Sequence, residues 1–203
     1  MFDGMNMTMT DMAGQIVSLV ALAFCILGFA SKRDDRLMVL LISANVAFAL
    51  QFALFGSWTA AILSLLVIGR IILARRYLGN WQVMLAVLVV NLVAAALTWR
   101  SPVDFFAIAA AIFGTVGMFM LRGIPMRLML AGAAVCWMLN NIVIGSVGGT
   151  LAEGMVVITN FITIFRLARM KRRYPEAFAK LKEPGSCLVP KIANNHSSHR
   201  NRL

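Results

Sequence analysis

The sequence predicts an all-α integral membrane protein whose seven transmembrane helices form two parallel three-helix bundles joined by a linker helix. Composition, a series of apolar stretches and an internal repeat predict this class. Apolar residues make up 61% of the 203 residues and charged residues 13%, whereas soluble domains have about 45–50% and about 25%. The mean hydropathy is +0.83. This composition excludes an ordinary soluble domain.

Seven stretches reach, or nearly reach, the roughly 17–25 apolar residues that a membrane-spanning helix needs. They cover residues 12–30, 37–55, 58–74, 81–99, 103–121, 128–144 and 151–167. The second stretch contains no charged residue, and the third and seventh are the shortest. The first lies between acidic residues and a basic loop, without the basic start and small-residue cleavage site of a signal peptide. We therefore interpret it as the first span.

A Gly-Ser pair occurs twice, 89 residues apart, at Gly56-Ser57 and Gly145-Ser146. Each pair ends one apolar stretch, and the stretch that follows it runs into arginines. Stretches one to three therefore align with stretches five to seven, and the fourth is left over. A bundle of three spans ends on the opposite side of the membrane from where it begins. One extra span returns the chain to the first side, so that the second bundle crosses the membrane in the same direction as the first.

Lysine and arginine alternate between the loops and predict the orientation. The segments after the first, third, fifth and seventh stretches are basic. The loops after the other three stretches contain a single basic residue, Arg100. The N-terminus is therefore expected outside and the C-terminus in the cytoplasm. The net charge of +11 follows from this topology and does not indicate nucleic-acid binding. The predicted parts are an outer segment 1–11, a bundle 12–76, a linker helix 77–100, a bundle 101–173 and a disordered tail 174–203.

Charged residues within spans are the first candidates for function. Arg70 lies about four residues, or about 6 Å, from the inner end of its span. It is expected either to snorkel or pair structurally, or to contact a solute or anion. Glu153 is expected either to stabilise the first turn of the seventh helix or to serve as a gating or proton site. The two residues are expected near opposite faces. Asp104 is interpreted as a first-turn acid.

The spans also contain uncharged polar side chains that either join helices or bind a solute. Gln51 and Asn140 occupy equivalent positions in the two repeats, each five residues before the glycine. Asn141 and Asn160 add two further amides in the second repeat. Trp137 offers a stacking face or a packing group. These residues, together with Arg70, are the predicted solute-binding set.

The second repeat resembles the YgjV-type family of bacterial inner-membrane proteins. The resemblance covers roughly residues 12–175 and rests on Arg70 and on Cys136-Trp137, Asn141, Gly145-Ser146, Gly148-Gly149-Thr150, Glu153-Gly154, Asn160 and Arg166. It implies a bacterial inner-membrane location and no known activity. The 3+1+3 plan is distantly similar to the SWEET and PQ-loop transporters. That similarity implies alternating access around central Trp and Asn residues, roles that Trp137 and Asn160 would fill.

The first functional hypothesis is a carrier or facilitator of a small polar solute. The alternative is a non-transporting scaffold, sensor or assembly component, which the absence of proline within the spans favours. An enzyme is not expected, because the spans contain no histidine or lysine and only two acids. No cofactor or metal is expected, although the tail contains His196 and His199. The expected partners are the bilayer, anionic headgroups at the basic inner face and the unidentified solute, and a homo-oligomer is left open.

Overall fold

The computed structural model describes residues 9–30 and 34–173, which form seven α-helices and, within those ranges, no strand. The helices are α1 (Met9–Ala30), α2 (Asp34–Leu54), α3 (Trp58–Arg76), α4 (Trp81–Thr98), α5 (Asp104–Met120), α6 (Ile124–Val143) and α7 (Val147–Arg173). Each predicted stretch corresponds to one helix, so the all-α class is confirmed. The predictions for the N-terminal segment up to residue 8 and for the tail 174–203 with its two histidines lie outside the described residues.

Five of these helices are long and apolar enough to cross a membrane, namely α1, α3, α4, α6 and α7. The apolar parts of α2 (Val39–Leu54) and α5 (Asp104–Met120) are shorter. The chain divides into two compact units, residues 1–167 and 168–203. The described part of the second unit is the end of α7, where Lys171, Arg172 and Arg173 form a basic last turn. All features discussed below belong to the first unit.

Four helices, α1, α2, α6 and α7, begin three or four residues earlier than the predicted stretches. The helix α6 begins at Ile124, because Pro125 stands in its first turn, where proline is tolerated. The helix α7 begins at Val147, so the Gly148-Gly149-Thr150 segment is helical and does not precede the helix. The Ser146 hydroxyl accepts a hydrogen bond from the Gly149 backbone N–H at 3.2 Å, as an N-cap residue does.

Asp104 lies in the first turn of α5, as the sequence predicts. The residue is buried. Its carboxylate accepts hydrogen bonds from the backbone N–H groups of Arg100 at 2.9 Å and Ser101 at 3.1 Å. The carboxylate thereby satisfies donors of the turn that leads into the helix, where the macrodipole also favours negative charge.

The two Gly-Ser segments adopt the same turn. Gly56 and Gly145 have φ values of 73° and 78°, a conformation that glycine adopts without strain. Ser57 N–H donates to the Phe52 carbonyl at 2.8 Å, and Ser146 N–H donates to the Asn141 carbonyl at 2.9 Å. Both glycines also donate to the carbonyl three residues earlier. These bonds define the Schellman motif that ends a helix, so the sequence repeat is also a repeat of backbone structure.

Small and polar residues fill the interior, while large apolar residues cover the surface. Among the described residues, seven of the nine largest fully buried side chains carry an amide or a hydroxyl, among them Gln51, Asn140 and Asn141, all at most 1% exposed. Alanines supply most of the buried apolar residues. Leu97 and Phe165 are 81% and 68% exposed. Small residues let helices approach closely, and this distribution is typical of a bundle surrounded by lipid.

Equivalent helices pack in equivalent pairs, α1 against α2 and α5 against α6. The helix α3 packs against α2, α4 and α5, and α4 also packs against α5. The Gln15 side chain is one of those that join the two predicted repeats directly. The Gln15 amide nitrogen donates to the Gly145 carbonyl at 2.6 Å, and its oxygen accepts from the Val147 N–H at 3.2 Å. The start of α1 is therefore fixed to the hairpin between α6 and α7.

Candidate functional site

Both halves of the chain line one cavity of about 280 Å³, which we call the shared cavity. Helices α1, α2 and α3 contribute to it from the first half, and α5, α6 and α7 from the second. Its aromatic lining residues are Phe48, Phe52 and Trp137. Its polar and charged lining residues are Asn45, Ser64, Arg70, Arg127, Glu153, Thr159 and Asn160. A site of this kind can contact a solute through apolar, hydrogen-bonding and charged groups at once.

Arg70 points inward from α3 and does not snorkel to the membrane surface. It is 6% exposed, and its Nη1 donates to the Ala111 carbonyl of α5 at 3.2 Å. The guanidinium lies against Gly114, where an added Cβ would stand 2.7 Å from the Arg70 Cζ. The Arg70 Nε has no hydrogen-bond partner. The snorkelling interpretation is therefore wrong, because glycine on α5 leaves space for the guanidinium inside the protein.

Glu153 lies deeper than predicted. The first turn of α7 contains no acidic residue, so the capping interpretation of Glu153 is wrong. Because α7 begins at Val147, Glu153 lies about 9 Å along the helix at about 1.5 Å per residue. The carboxylate and Arg70 both line the shared cavity, and their placement near opposite faces stays a prediction. Among the described residues, no ion pair joins them.

Asn160 and Trp137 both line the shared cavity, as the solute-binding hypothesis requires. The Asn160 Nδ2 donates to the Val156 carbonyl at 2.9 Å, while its Oδ1 is buried without a hydrogen-bond partner. The Trp137 ring stacks on Phe52, with the centroids 5.4 Å apart. Phe52 in turn stacks on Phe48 at 6.5 Å. Two of these three rings come from the first repeat and one from the second.

The remaining predicted amides do not line the cavity but form a buried layer beside it. The Gln51 Nε2 donates to the Asn141 Oδ1 at 2.9 Å, and the Asn141 Nδ2 donates to the Trp137 carbonyl at 3.0 Å. Asn140 is 0% exposed, and neither atom of its amide has a partner. Gln51 therefore pairs with Asn141, the chain neighbour of its repeat equivalent Asn140.

The side-chain amides of the spans mostly bond within their own helix. Asn45, Asn91, Asn141 and Asn160 each donate to the carbonyl four residues earlier. Two glutamines take the other predicted role and bond between helices: Gln51 bonds to Asn141, and Gln15 bonds to the hairpin between α6 and α7. The Asn160 oxygen, in contrast, is left available to another group.

Four polar lining residues are absent from the predicted site, namely Asn45, Ser64, Arg127 and Thr159. Ser64 lies 89 residues before Glu153, so the repeat could have identified it. Arg127 was assigned to a loop because α6 was predicted to begin at residue 128. Asn45 and Thr159 lie within predicted spans, where nothing in the sequence distinguishes them from other polar residues of the spans. From Arg127 to Trp137, the cavity follows α6 over ten residues, or about 15 Å.

Arg70 also borders a second cleft, of about 420 Å³, between α3 and α4. Apolar residues form most of its wall, for example Leu73, Val83 and Val87. Asn91 and Gln82 are its other polar side chains. The described residues contain no cluster of three His, Cys, Asp or Glu side chains that could hold a metal ion.

Comparison with known proteins finds similarity to one described family. The family model described as a bacterial inner membrane protein, Imp-YgjV, matches residues 12–171. The inner membrane protein YgjV of Escherichia coli (strain K12) is 25% identical over 172 residues, which cover 85% of this chain and 93% of that protein. No solved structure gives a significant match.

Proposed function

The chain belongs to the YgjV family of bacterial inner membrane proteins, and from this premise we propose that it is a carrier or facilitator that moves a small polar solute by alternating access. The observation that carries the proposal is the shared cavity. Both predicted repeats line it, and it contains Arg70, Trp137, Glu153 and Asn160 of the sequence-predicted set. A binding site at the interface of two repeats is the usual arrangement in secondary transporters.

Unpartnered polar atoms of cavity-lining residues support a binding role. The Arg70 Nε and the Asn160 Oδ1 are both buried without a hydrogen-bond partner, and both residues line the cavity. A buried donor or acceptor that stays unpaired costs about 1–3 kcal/mol. A solute that pairs with both atoms would remove that cost, which makes these two residues the centre of the proposed site.

The proposal includes a topology. All seven helices cross the membrane as two parallel three-helix bundles joined by α4, with the N-terminus outside and the C-terminus in the cytoplasm. The alternation of basic loops and the identical turns at Gly56 and Gly145 support it. Both hairpins then lie on the outer face, and Arg127 lies at the inner end of the shared cavity.

Thermal stabilisation of the purified protein by a panel of small polar solutes tests the proposal. A solute that binds the folded protein raises its stability by RT ln(1 + [L]/Kd). We expect at least one solute to raise Tm, and Asn160→Leu to abolish that rise. The matched control is Asn91→Leu. Asn91 is 4% exposed and Asn160 is 5% exposed, and each amide donates to a carbonyl four residues earlier, but Asn91 does not line the shared cavity.

The alternative of a scaffold, sensor or assembly component predicts a different result. No solute would then raise Tm, or Asn91→Leu would reduce the rise as much as Asn160→Leu. Recovery of a stoichiometric crosslinked partner together with that result would replace the carrier proposal by the scaffold alternative.

A further inference from the structure

We propose that the solute is a small carboxylate that carries a hydrogen-bond donor, a hydroxyl or an ammonium group, on the neighbouring carbon. Its carboxylate binds Arg70, and its donor group binds Asn160. This inference rests on the proposed carrier function and names the chemical class that the shared cavity accepts.

The environment of Arg70 favours an anionic partner. A guanidinium removed from water is stabilised by a carboxylate or a comparable acceptor, and it can bind one through two parallel hydrogen bonds. Here the only protein acceptor that it contacts among the described residues is the neutral Ala111 carbonyl, while Nε stays free. The contact with Gly114 fixes the guanidinium against α5. The group is therefore held in place but lacks a counter-charge within bonding distance.

The acceptors of the cavity require a donor on the same ligand. The Asn160 Oδ1 is a buried acceptor without a partner. Glu153 lies about two helical turns, or roughly 10 Å, before Asn160 on the same helix and also lines the cavity. A hydroxyl would satisfy the Asn160 oxygen, and an ammonium group would in addition be attracted by Glu153. A simple carboxylate without a donor would leave the Asn160 oxygen unpaired.

The size and charge of the cavity limit the ligand further. Its volume of about 280 Å³ is just below the roughly 300–1,000 Å³ typical of pockets for drug-sized ligands, so a ligand of few heavy atoms fits best. The ionisable residues of the lining include two arginines, Arg70 and Arg127, and one carboxylic acid, Glu153. An anion or a zwitterion is therefore favoured over a cation. The rings of Trp137 and Phe48 offer an apolar wall for its carbon atoms.

Four probes with the same three-carbon skeleton separate these requirements. L-lactate and L-alanine carry both the carboxylate and the donor, propionate lacks the donor, and 1,2-propanediol lacks the carboxylate. We expect lactate or alanine to raise the Tm of the wild-type protein, propionate to bind at least about tenfold more weakly, and propanediol to have no effect. One good hydrogen bond lost corresponds to about this factor. The stronger of lactate and alanine identifies the donor as hydroxyl or ammonium.

Two pairs of variants test the role of Arg70. Arg70→Gln should weaken lactate or alanine binding by about tenfold or more, whereas Arg75→Gln, at an exposed arginine of the same helix, should leave it unchanged. Gly114→Ala keeps the charge but displaces the guanidinium and should weaken binding in the same direction. Its control is Gly132→Ala, where the nearest atom to the added Cβ lies 3.7 Å away. Gly114→Ala therefore tests the inference even if Arg70→Gln does not fold.

Some results would overturn the carboxylate assignment alone, and others would also overturn the carrier proposal. Equal binding of propanediol and lactate, or full lactate and alanine affinity in folded Arg70→Gln, contradicts the carboxylate assignment. If an uncharged solute of the wider panel then stabilises the wild type and Asn160→Leu loses that effect, the carrier proposal stands with another solute class. If no solute of either set stabilises the protein, both proposals fail.

Discussion

At the scale of single residues, the contact between Gln51 and Asn141 shows how the two repeats differ. Asn140 is the repeat equivalent of Gln51, and Phe52 is the repeat equivalent of Asn141. The second repeat therefore supplies a partner for Gln51, but the first repeat supplies a phenyl ring where Asn140 would need one. This asymmetry explains why the Gln51 Nε2 has a partner, whereas neither atom of the Asn140 amide has one.

Gly149 is required by this amide contact. A Cβ at Gly149 would stand 2.6 Å from the Asn141 Cγ, and Asn141 is held on its other side by Gln51 and the Trp137 carbonyl. We predict that Gly149→Ala lowers the free energy of unfolding by about 1–3 kcal/mol, the usual cost of overpacking a core. Thermal denaturation of the purified protein measures the effect.

The control is Gly154→Ala in the same helix. The nearest atom to its added Cβ is the Met138 Sδ at 4.0 Å, so the higher helix propensity of alanine should leave stability unchanged or raise it. Equal stability of the two variants would show that Asn141 does not constrain Gly149.

At the scale of helices and turns, the sequence was most informative where chemistry is local. The Gly-Ser pairs predicted two equivalent hairpins, and both form the same Schellman turn. The start of α7 was predicted four residues late, because glycines normally favour a break. Here Ser146 caps the helix, and Gly148 and Gly149 serve close packing instead. Only the three-dimensional contacts of these glycines reveal that role.

The proposed topology predicts that both hairpins are accessible from outside the cell. Trp58 and Val147 are repeat equivalents at the starts of α3 and α7 and are 46% and 59% exposed. In a variant whose three native cysteines are replaced by alanine, we expect Trp58→Cys and Val147→Cys to react with a membrane-impermeant maleimide on intact spheroplasts. Leu78→Cys, 54% exposed between α3 and α4, should react only after permeabilisation.

Labelling of only one hairpin would contradict the parallel arrangement of the two bundles. Labelling of Leu78→Cys alone in intact spheroplasts would instead reverse the orientation and keep the bundles parallel. These outcomes separate the topology from the direction of insertion.

At the scale of the whole molecule, the shared cavity is the feature that the sequence predicted least completely. The polar set was identified from residue type, but its members separate into a cavity group, with Arg70, Glu153, Trp137 and Asn160, and a buried amide layer. Counting residues from the ends of the spans placed Arg70 and Glu153 near opposite faces. The cavity extends along the helix axes and therefore reaches the level of Arg70 and the level of Glu153. Counting residues along one helix cannot show such a shared cavity.

The difference between the repeats also bears on the proposed mechanism. The first repeat contributes Arg70, Ser64 and Asn45 to the cavity, and the second contributes Glu153 and Asn160. A carrier that rocks one half against the other would move these two groups apart and expose a bound solute. The solute would then be held by both halves only in the closed state, which is what alternating access requires.

Uptake into proteoliposomes tests this account most directly. Purified protein is reconstituted, and entry of the radiolabelled solute that gives the largest rise in Tm is compared among wild type, Asn160→Leu and Asn91→Leu. The account predicts saturable uptake by wild type and Asn91→Leu, and a reduction of about tenfold or more in Asn160→Leu, in line with the loss of one buried hydrogen bond. Uptake by the wild type no faster than that of protein-free liposomes would contradict it.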